Sequence, residues 1–255
     1  MTNVSEIRAE GGGLALCWTG NAGWLIGTDR LLIGIDLDLQ PGQSRLAEPA
    51  VSAEDVAPIL SVLFVTHGHG DHFNAYTCRA LARKSECLFV LPSNCTEGAA
   101  KIGLPQERIR VASPKHPFEL MGIHVAPLRA MHGHRDFAVS QGANLDDCGY
   151  LLTVGGKRIF HPGDSVFLAD HLAVGPLDVL FVSPTEHNMH VERSAFLIES
   201  LKPAYVLPQH YGTYRTTPEN RFWTEGYPDE LRARLSEAMQ ARYHKLNEGT
   251  VFRVE

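Results

Sequence analysis

Thr66-His67-Gly68-His69-Gly70-Asp71-His72 gathers three imidazoles and a carboxylate within the six positions from His67 to His72. It follows directly on Ile59-Leu60-Ser61-Val62-Leu63-Phe64-Val65, a short apolar run that reads as a buried strand. The histidines therefore belong to a loop leaving a rigid strand, where chemistry tends to be placed. Neutral imidazole nitrogen and carboxylate oxygen are the donors that zinc and similar divalent ions prefer. Gly68 and Gly70, lacking a Cβ, are expected to let the backbone wind tightly enough to turn alternate side chains onto one ion. One histidine here would read as structural; three with an aspartate read as a metal site.

Outward from this loop the pattern alternates. Strand-like pieces occupy 14–18, 23–26 and 31–36, separated by turns at Gly20-Asn21 and Thr28-Asp29, as in an antiparallel meander. The stretch 39–54, with Pro41, Gly42 and Pro49, reads as a loop. Helical spacing of Ala75, Cys78, Leu81 and Ala82 predicts a helix over 74–84, followed by a strand over 87–91 and a short helix over 96–102. Strands are expected over 109–112 and 123–128, then a hairpin of 150–154 with 158–160 around Gly155-Gly156. A strand over 177–182, a helix over 191–201 and a strand over 204–207 come next. The most strongly patterned helix is 229–243, opened by Pro228-Asp229 and carrying Leu231, Leu235, Ala238, Met239 and Arg242. A strand over 250–254 ends the series. This order suits two mixed sheets with helices outside, without separating that layout from other α/β arrangements.

Bulk properties narrow the class. The 255 residues carry 44% apolar and 20% charged side chains, the balance of an ordinary globular protein. With no linker or repeat, a single domain over 1–255 is the simplest reading. A net charge of −6 disfavours an extended nucleic-acid surface. Five cysteines, Cys17, Cys78, Cys87, Cys95 and Cys148, form no C-x-x-C pair and no even disulfide set, which favours a reducing compartment. The opening residues lack a basic and apolar leader and no apolar run reaches the length of a membrane helix, so a cytoplasmic location and no transmembrane segment are expected.

His67-x-His69-x-Asp71-His72 after a hydrophobic strand resembles the signature of the metallo-β-lactamase superfamily. The resemblance implies an α/β (α+β) fold: a four-layer αβ/βα sandwich of two facing mixed sheets with outer helices and a two-metal hydrolytic centre between the sheets. It also implies three further ligands at later strand ends. Leu128-Arg129-Ala130-Met131-His132-Gly133-His134 offers His132, with His134 as the alternative; His161-Pro162-Gly163-Asp164-Ser165 offers Asp164; Val206-Leu207-Pro208-Gln209-His210 offers His210. The implied assignment gives one ion to His67, His69 and His132, the other to Asp71, His72 and His210, with Asp164 bridging. Asp36, at the end of Leu31-Leu32-Ile33-Gly34-Ile35, resembles an acidic position that supports the ligands from behind; a turn aspartate capping the strand is the plainer alternative.

The donors are all nitrogen or oxygen, so the cofactors implied are two divalent ions, zinc by default, with manganese or iron also compatible. Two ions about 3.5 Å apart lower the pKa of a shared water from near 16 toward neutrality, and the resulting bridging hydroxide would attack a carbonyl or phosphoryl centre. Asp71 would orient that hydroxide as well as bind metal. Diiron oxidoreductases of the same fold usually carry a glutamate where this chain has His69, and an appended flavin domain for which 255 residues leave no room.

Within the superfamily, the L-ascorbate-6-phosphate lactonase-like and N-acyl-phosphatidylethanolamine phospholipase D-like branch is closest in look. The resemblance is carried by Gly20-Asn21-Ala22-Gly23-Trp24-Leu25-Ile26, by Pro162-Gly163-Asp164-Ser165, by Pro176-Leu177-Asp178-Val179-Leu180-Phe181-Val182-Ser183-Pro184 and by Val206-Leu207-Pro208-Gln209-His210-Tyr211-Gly212. The reading that follows is a binuclear hydrolase of a small, anionic ester, lactone or phosphoester. A nuclease or phosphodiesterase of this fold and a metal-binding scaffold without turnover are the alternatives. Among Glu186, His187 and His190, His187 is the candidate proton donor to the leaving group, against a plain polar loop. Arg135 and Arg215 are candidates for a forked contact to the substrate's carboxylate or phosphate. Phe222, Trp223 and Tyr227 would wall a pocket or cover core. The oligomeric state is left open, a homo-oligomer included.

Overall fold

Leu14–Gly20 (β1) and Gly23–Gly27 (β2) form the first hairpin of the computed structural model, which describes residues 2–9, 11–42, 44–135, 139–140 and 143–255. Leu32–Ile35 (β3) pairs antiparallel with β2, completing the expected meander. Val62–Phe64 (β4), Leu88–Pro92 (β5) and Ile109–Ala112 (β6) then add in parallel. Val251–Val254 (β13) returns antiparallel to β1. Among the described residues this makes a seven-stranded sheet in the order β13-β1-β2-β3-β4-β5-β6. Every residue of β1 to β4 is buried, which explains why these strands read as continuous apolar runs rather than alternating ones.

The second sheet is built from Phe118–Leu120 (β7), Ile123–Arg129 (β8), Cys148–Val154 (β9), Lys157–His161 (β10), Val179–Val182 (β11) and Tyr205–Pro208 (β12). Its order among the described residues is β12-β11-β10-β9-β8-β7. Strands β7 to β10 are antiparallel neighbours and β10 to β12 are parallel. The diglycine turn joins β9 to β10 with Val154 opposite Lys157; Gly155 and Gly156 sit at φ +58° and +75°, the pair of positive values that a two-residue hairpin matching the strand twist requires.

The chain divides into two compact units, Met1–Ala112 with Asn247–Glu255, and Ser113–Leu246. Each holds one of the sheets. In the first, Ala75–Lys84 (α2) starts where Asn74 Oδ1 accepts the Thr77 N–H, and its Cys78 and Leu81 pack with Leu63, Phe89 and Leu91. The short helices Ala53–Val56 (α1) and Thr96–Lys101 (α3) belong to the same unit. In the second, His190–Leu201 (α4) packs Leu197 and Ile198 with Leu180 and Val206.

Three expectations change. Helix α1 lies at the end of the stretch 39–54 read as loop; Ser52 Oγ caps it by accepting the Asp55 N–H. Arg221–Thr224 (α5) is a further helix that periodicity did not announce, being only four residues long. The strongly patterned helix over 229–243 is two helices, Pro228–Arg234 (α6) and Glu237–Gln240 (α7). Leu235 turns extended, and Ser236 restarts the helix by accepting the Met239 N–H while Glu199 accepts the Ser236 N–H and O–H. Local side-chain capping overrides a continuous apolar stripe here. All five cysteines are buried and outside any disulfide, and no helix among the described residues is long and apolar enough to cross a membrane.

Strand directions decide which loops meet. In the first sheet the turn after β1, the end of β3 and the end of β4 fall on one edge, because β2 runs opposite to β3 and β4 runs with it. This edge gathers Asn21, Asp36 and the 66–72 loop. In the second sheet the ends of β8, β10, β11 and β12 fall on one edge, bringing the loops of His132, Asp164, His187 and His210 together.

Candidate metal centre

On the first unit, Asp36 organises the histidine loop. It is fully buried and held at φ +47°, a conformation that costs an aspartate little but a bulky residue more. Its carboxylate accepts the Thr66 N–H at 2.8 Å and the Thr66 hydroxyl at 2.7 Å. It also lies 2.7 Å from His72 Nδ1. A carboxylate can only accept from that ring, so Nδ1 carries the proton and Nε2 becomes the acceptor nitrogen of His72. The Thr66 hydroxyl, its single proton committed to Asp36, must accept from His67 Nδ1 at 3.0 Å. His67 is thereby set in the same tautomer, with Nε2 facing His69 Nδ1 at 3.0 Å. Asp71 receives the Asn21 side-chain amide at 2.9 Å and sits 3.6 Å from His72 Nε2. The hairpin turn at Asn21, itself at φ +48°, thus aims an amide at the loop.

Gly68 and Gly70 do not have the role expected of them. Neither has a positive φ; a Cβ on Gly68 would come no closer than 3.7 Å to Cys95 Sγ, and one on Gly70 would meet nothing within 4 Å. The winding of this loop comes instead from His72 and Phe73 N–H groups closing back on the His69 carbonyl at 3.0 and 2.7 Å.

On the second unit, four side chains converge on one carboxylate. Asp164 is buried, with His187 Nε2 2.6 Å from Oδ2, His210 Nε2 2.9 Å from Oδ1, and His132 Nε2 3.7 Å from Oδ2. The Asn188 amide donates to Oδ1 at 3.0 Å. Each imidazole is fixed from behind by a backbone carbonyl at its Nδ1: Gly133 O at 2.6 Å for His132, Phe222 O at 3.1 Å for His187, and Trp223 O at 3.2 Å for His210. Carbonyls only accept, so all three rings carry the proton on Nδ1 and present Nε2 to the carboxylate. Three acceptor nitrogens gathered around an acceptor oxygen form a donor set that asks for a cation, and nitrogen with carboxylate oxygen suits a divalent metal. His132, Asp164 and His187 offer ligand atoms all within 4.8 Å of one another.

Backbone contacts hold these loops together. Val166 N–H bonds to Met131 O at 2.9 Å and Ser165 Oγ accepts from Met131 N–H, which ties the His132 loop to the Asp164 loop. Gly133 backs onto the His187 carbonyl so closely that a Cβ would lie 2.0 Å from it. His210, at φ +62°, is packed against Gly226, where a Cβ would lie 2.5 Å from the His210 carbonyl oxygen.

His134, the alternative to His132, is exposed and turns its ring toward Phe222 at 5.5 Å. Arg135 is exposed with its guanidinium 4.9 Å over the Phe222 ring and a hydrogen bond to Glu219 O at 3.3 Å. Arg215 is exposed on the loop after β12. Glu186 accepts the Tyr227 hydroxyl at 2.8 Å, away from the imidazole cluster's hydrogen bonds. Trp223 packs its ring against Tyr214. Sequence reasoning missed Asn21, Asn188 and the carbonyls of α5. An Asn in a two-residue turn and an Asn beside a histidine carry no signal of their aim, and a carbonyl is common to every residue. Burial pushes the Cys17 thiol up to about 12 and raises Cys78 also, so these cysteines stay protonated and apart from a nitrogen and oxygen donor set.

Against known families, residues 30–211 match the Beta-lactamase superfamily domain. A UPF0173 metal-dependent hydrolase of Pelotomaculum thermopropionicum is 27% identical, over 92% of this chain and 98% of its own length. The relative from Thermococcus kodakarensis, of the same description, is 29% identical over 76% of this chain and 83% of its own. Among solved structures, the metallo hydrolase Igni18 of Ignicoccus hospitalis superposes with a TM-score of 0.72 at 20% identity, covering 95% of this chain and 99% of Igni18.

Proposed function

The chain belongs to the β-lactamase superfamily, and from that premise we propose that it is a metal-dependent hydrolase with a binuclear centre, acting on a small anionic ester, lactone or phosphoester. One observation carries the reading: on both units the ligand-type histidines His67, His72, His132 and His210 are locked with the proton on Nδ1, so that Nε2 is the acceptor. Solvated or merely structural histidines have no reason to share one tautomer; metal-ligating ones do. His67, His69 and His132 would hold one ion, Asp71, His72 and His210 the other, and Asp164 both. Zinc suits this donor set, with manganese or iron as alternatives of the same donor chemistry. Two such ions supply an activated water at neutral pH and polarise the substrate's carbonyl or phosphoryl oxygen.

The protein's own residues set the geometry of that chemistry. Asp71, steadied by Asn21, would orient the attacking water. Asp36 and Thr66 keep His67 and His72 from rotating or changing tautomer. Arg135, propped on the face of Phe222, is a cation presented to solvent beside the ring that contacts His187, and supports an anionic substrate. Arg215 is the other exposed candidate. The net charge of −6 favours a small molecule over nucleic acid.

The test is metal analysis of protein purified without chelators, followed by turnover of lactones, thioesters and bis(p-nitrophenyl) phosphate before and after chelation. Two equivalents of metal and chelator-sensitive turnover are expected. His67→Ala and Asp164→Ala should each lose bound metal and at least about 100-fold in turnover, since even the partners of ligands typically cost 10- to 100-fold. Full metal loading with no turnover would make the site a scaffold, and cleavage of nucleic acid with a steep salt dependence would make it a nuclease.

A further inference from the structure

Asp164 meets more imidazoles than the seven-ligand assignment uses. The ring of His187 is 2% exposed, lies 2.6 Å from Asp164 Oδ2 through Nε2 and 3.1 Å from Phe222 O through Nδ1. His210, assigned to a metal above, has the same construction: Nε2 2.9 Å from the other oxygen of Asp164 and Nδ1 3.2 Å from the next carbonyl, Trp223 O. The two rings lie 5.6 Å apart, edge to face, and are braced by successive carbonyls of one short helix, α5. A third ring, His132, repeats the pattern with Gly133 O.

We propose that His187 is a metal ligand, an eighth protein donor that joins His132 and Asp164 on one ion, and not the proton donor to the leaving group. The proposal rests on the reading of this site as a metal centre. A proton donor needs to reach solvent; the ring of His187 is buried, with the Phe222 ring beside it and its Nε2 turned to Asp164. Its Nε2 and the ligand atoms of His132 and Asp164 lie within 4.8 Å of one another. Neighbouring donors about 2.0–2.1 Å from a zinc expanded to five ligands would be about 2.9–3.6 Å apart. The separations of 2.6 and 3.7 Å to Asp164 Oδ2 bracket that spacing. The same carbonyl-to-Nδ1 contact that gives a metal-bound histidine its tautomer and basicity is already in place.

The experiment uses the full chain with nitrogen-15 in its histidines, loaded with cadmium-113. A one-bond splitting of the His187 Nε2 resonance by cadmium is the expected result, alongside splitting at His132 and His210. His187→Gln, matched in apo-state unfolding to the parent, should bind zinc at least about 10-fold more weakly. Splitting at His210 with none at His187 overturns the proposal and leaves the metal centre standing. So does a His187→Gln protein that keeps both equivalents at parental affinity while losing turnover, which would return His187 to proton transfer. A chain that takes up no cadmium or zinc at all ends both readings.

Discussion

The two clusters of candidate donors, one on each unit, are built on different principles. On the first unit, four candidate donors lie within six residues of one loop and are aligned by side chains: the Asp36 carboxylate, the Thr66 hydroxyl and the Asn21 amide. On the second, the donors come from four loops spread over positions 132 to 210 and are aligned by main-chain carbonyls of Gly133, Phe222 and Trp223. A side-chain brace can be removed by one substitution. A carbonyl brace survives every substitution that leaves the backbone where it is. The first cluster is therefore open to mutation through its supports, and the second only through its path.

The largest effect should follow from Asp36→Ala. It strips the acceptor from the Thr66 N–H, the Thr66 hydroxyl and His72 Nδ1 in a fully buried place. Zinc affinity is expected to fall about 10- to 100-fold, and the orphaned donors to cost about 2–3 kcal/mol of stability. Calorimetric zinc titration and urea unfolding measure both, and an unchanged affinity would remove Asp36 from the centre. The matching break on the second unit has to move backbone. In Gly226→Ala the new methyl would come 2.5 Å from His210 O and 2.9 Å from Gln209 O, neither of which can rotate away. A loss of about 1–3 kcal/mol of stability is expected, with a weaker His210 contact seen as lower zinc affinity. A neutral result would show that the carbonyl brace tolerates displacement and would erase the contrast.

The same distinction explains what could be read from the sequence. The 66–72 loop was legible because its candidate donors and their spacing are written contiguously after an apolar strand. Asp164 and His210 stand in the sequence only as residues at strand ends in a familiar order, and nothing in the letters tells that the ring of His132 lies toward Asp164 and that of His134 toward Phe222. The supports of the second unit were invisible because a carbonyl has no letter. Strands came through well, since β1 to β4 are buried on both faces and their apolar runs are uninterrupted. The long helix over 229–243 failed at Leu235-Ser236, where a hydroxyl cap and the Glu199 carboxylate, 37 residues distant, outweigh periodicity.

Histidines outside the centre sharpen the comparison from another side. His171 belongs to the core of the second unit, between the Phe160 and Phe167 rings. Burial pushes its imidazole down from 6.5 to about 4. Between those values the unfolded chain takes up a proton that the folded chain refuses, so stability is full above the upper value and declines as pH falls toward the lower one. The decline attributable to this ring is about 3 kcal/mol across the window, of which about 2 kcal/mol falls between pH about 7 and about 5. Subtracting the urea stabilities of His171→Leu from those of the parent at pH about 7 and about 5 isolates it from the carboxylates that titrate nearby. Equal slopes in the two proteins would show that the ring is protonated in the fold.

The smallest expected effect is the most discriminating. Phe222→Ala removes a ring that Arg135 covers at 4.9 Å and that His134 and His187 approach at 5.5 and 6.0 Å, yet leaves the carbonyl that accepts from His187 Nδ1. If the brace is the carbonyl, zinc affinity stays within about 3-fold of the parent, a change below 1 kcal/mol. If the ring serves to hold Arg135 toward an anionic substrate, KM rises about 2- to 5-fold, the worth of one exposed cation–π contact, while kcat is kept. The two readouts separate support of the metal from support of the substrate at a single residue. An affinity loss as large as that of Asp36→Ala would mean that the side chain, and not the main chain, holds His187, and the difference between the two clusters would vanish.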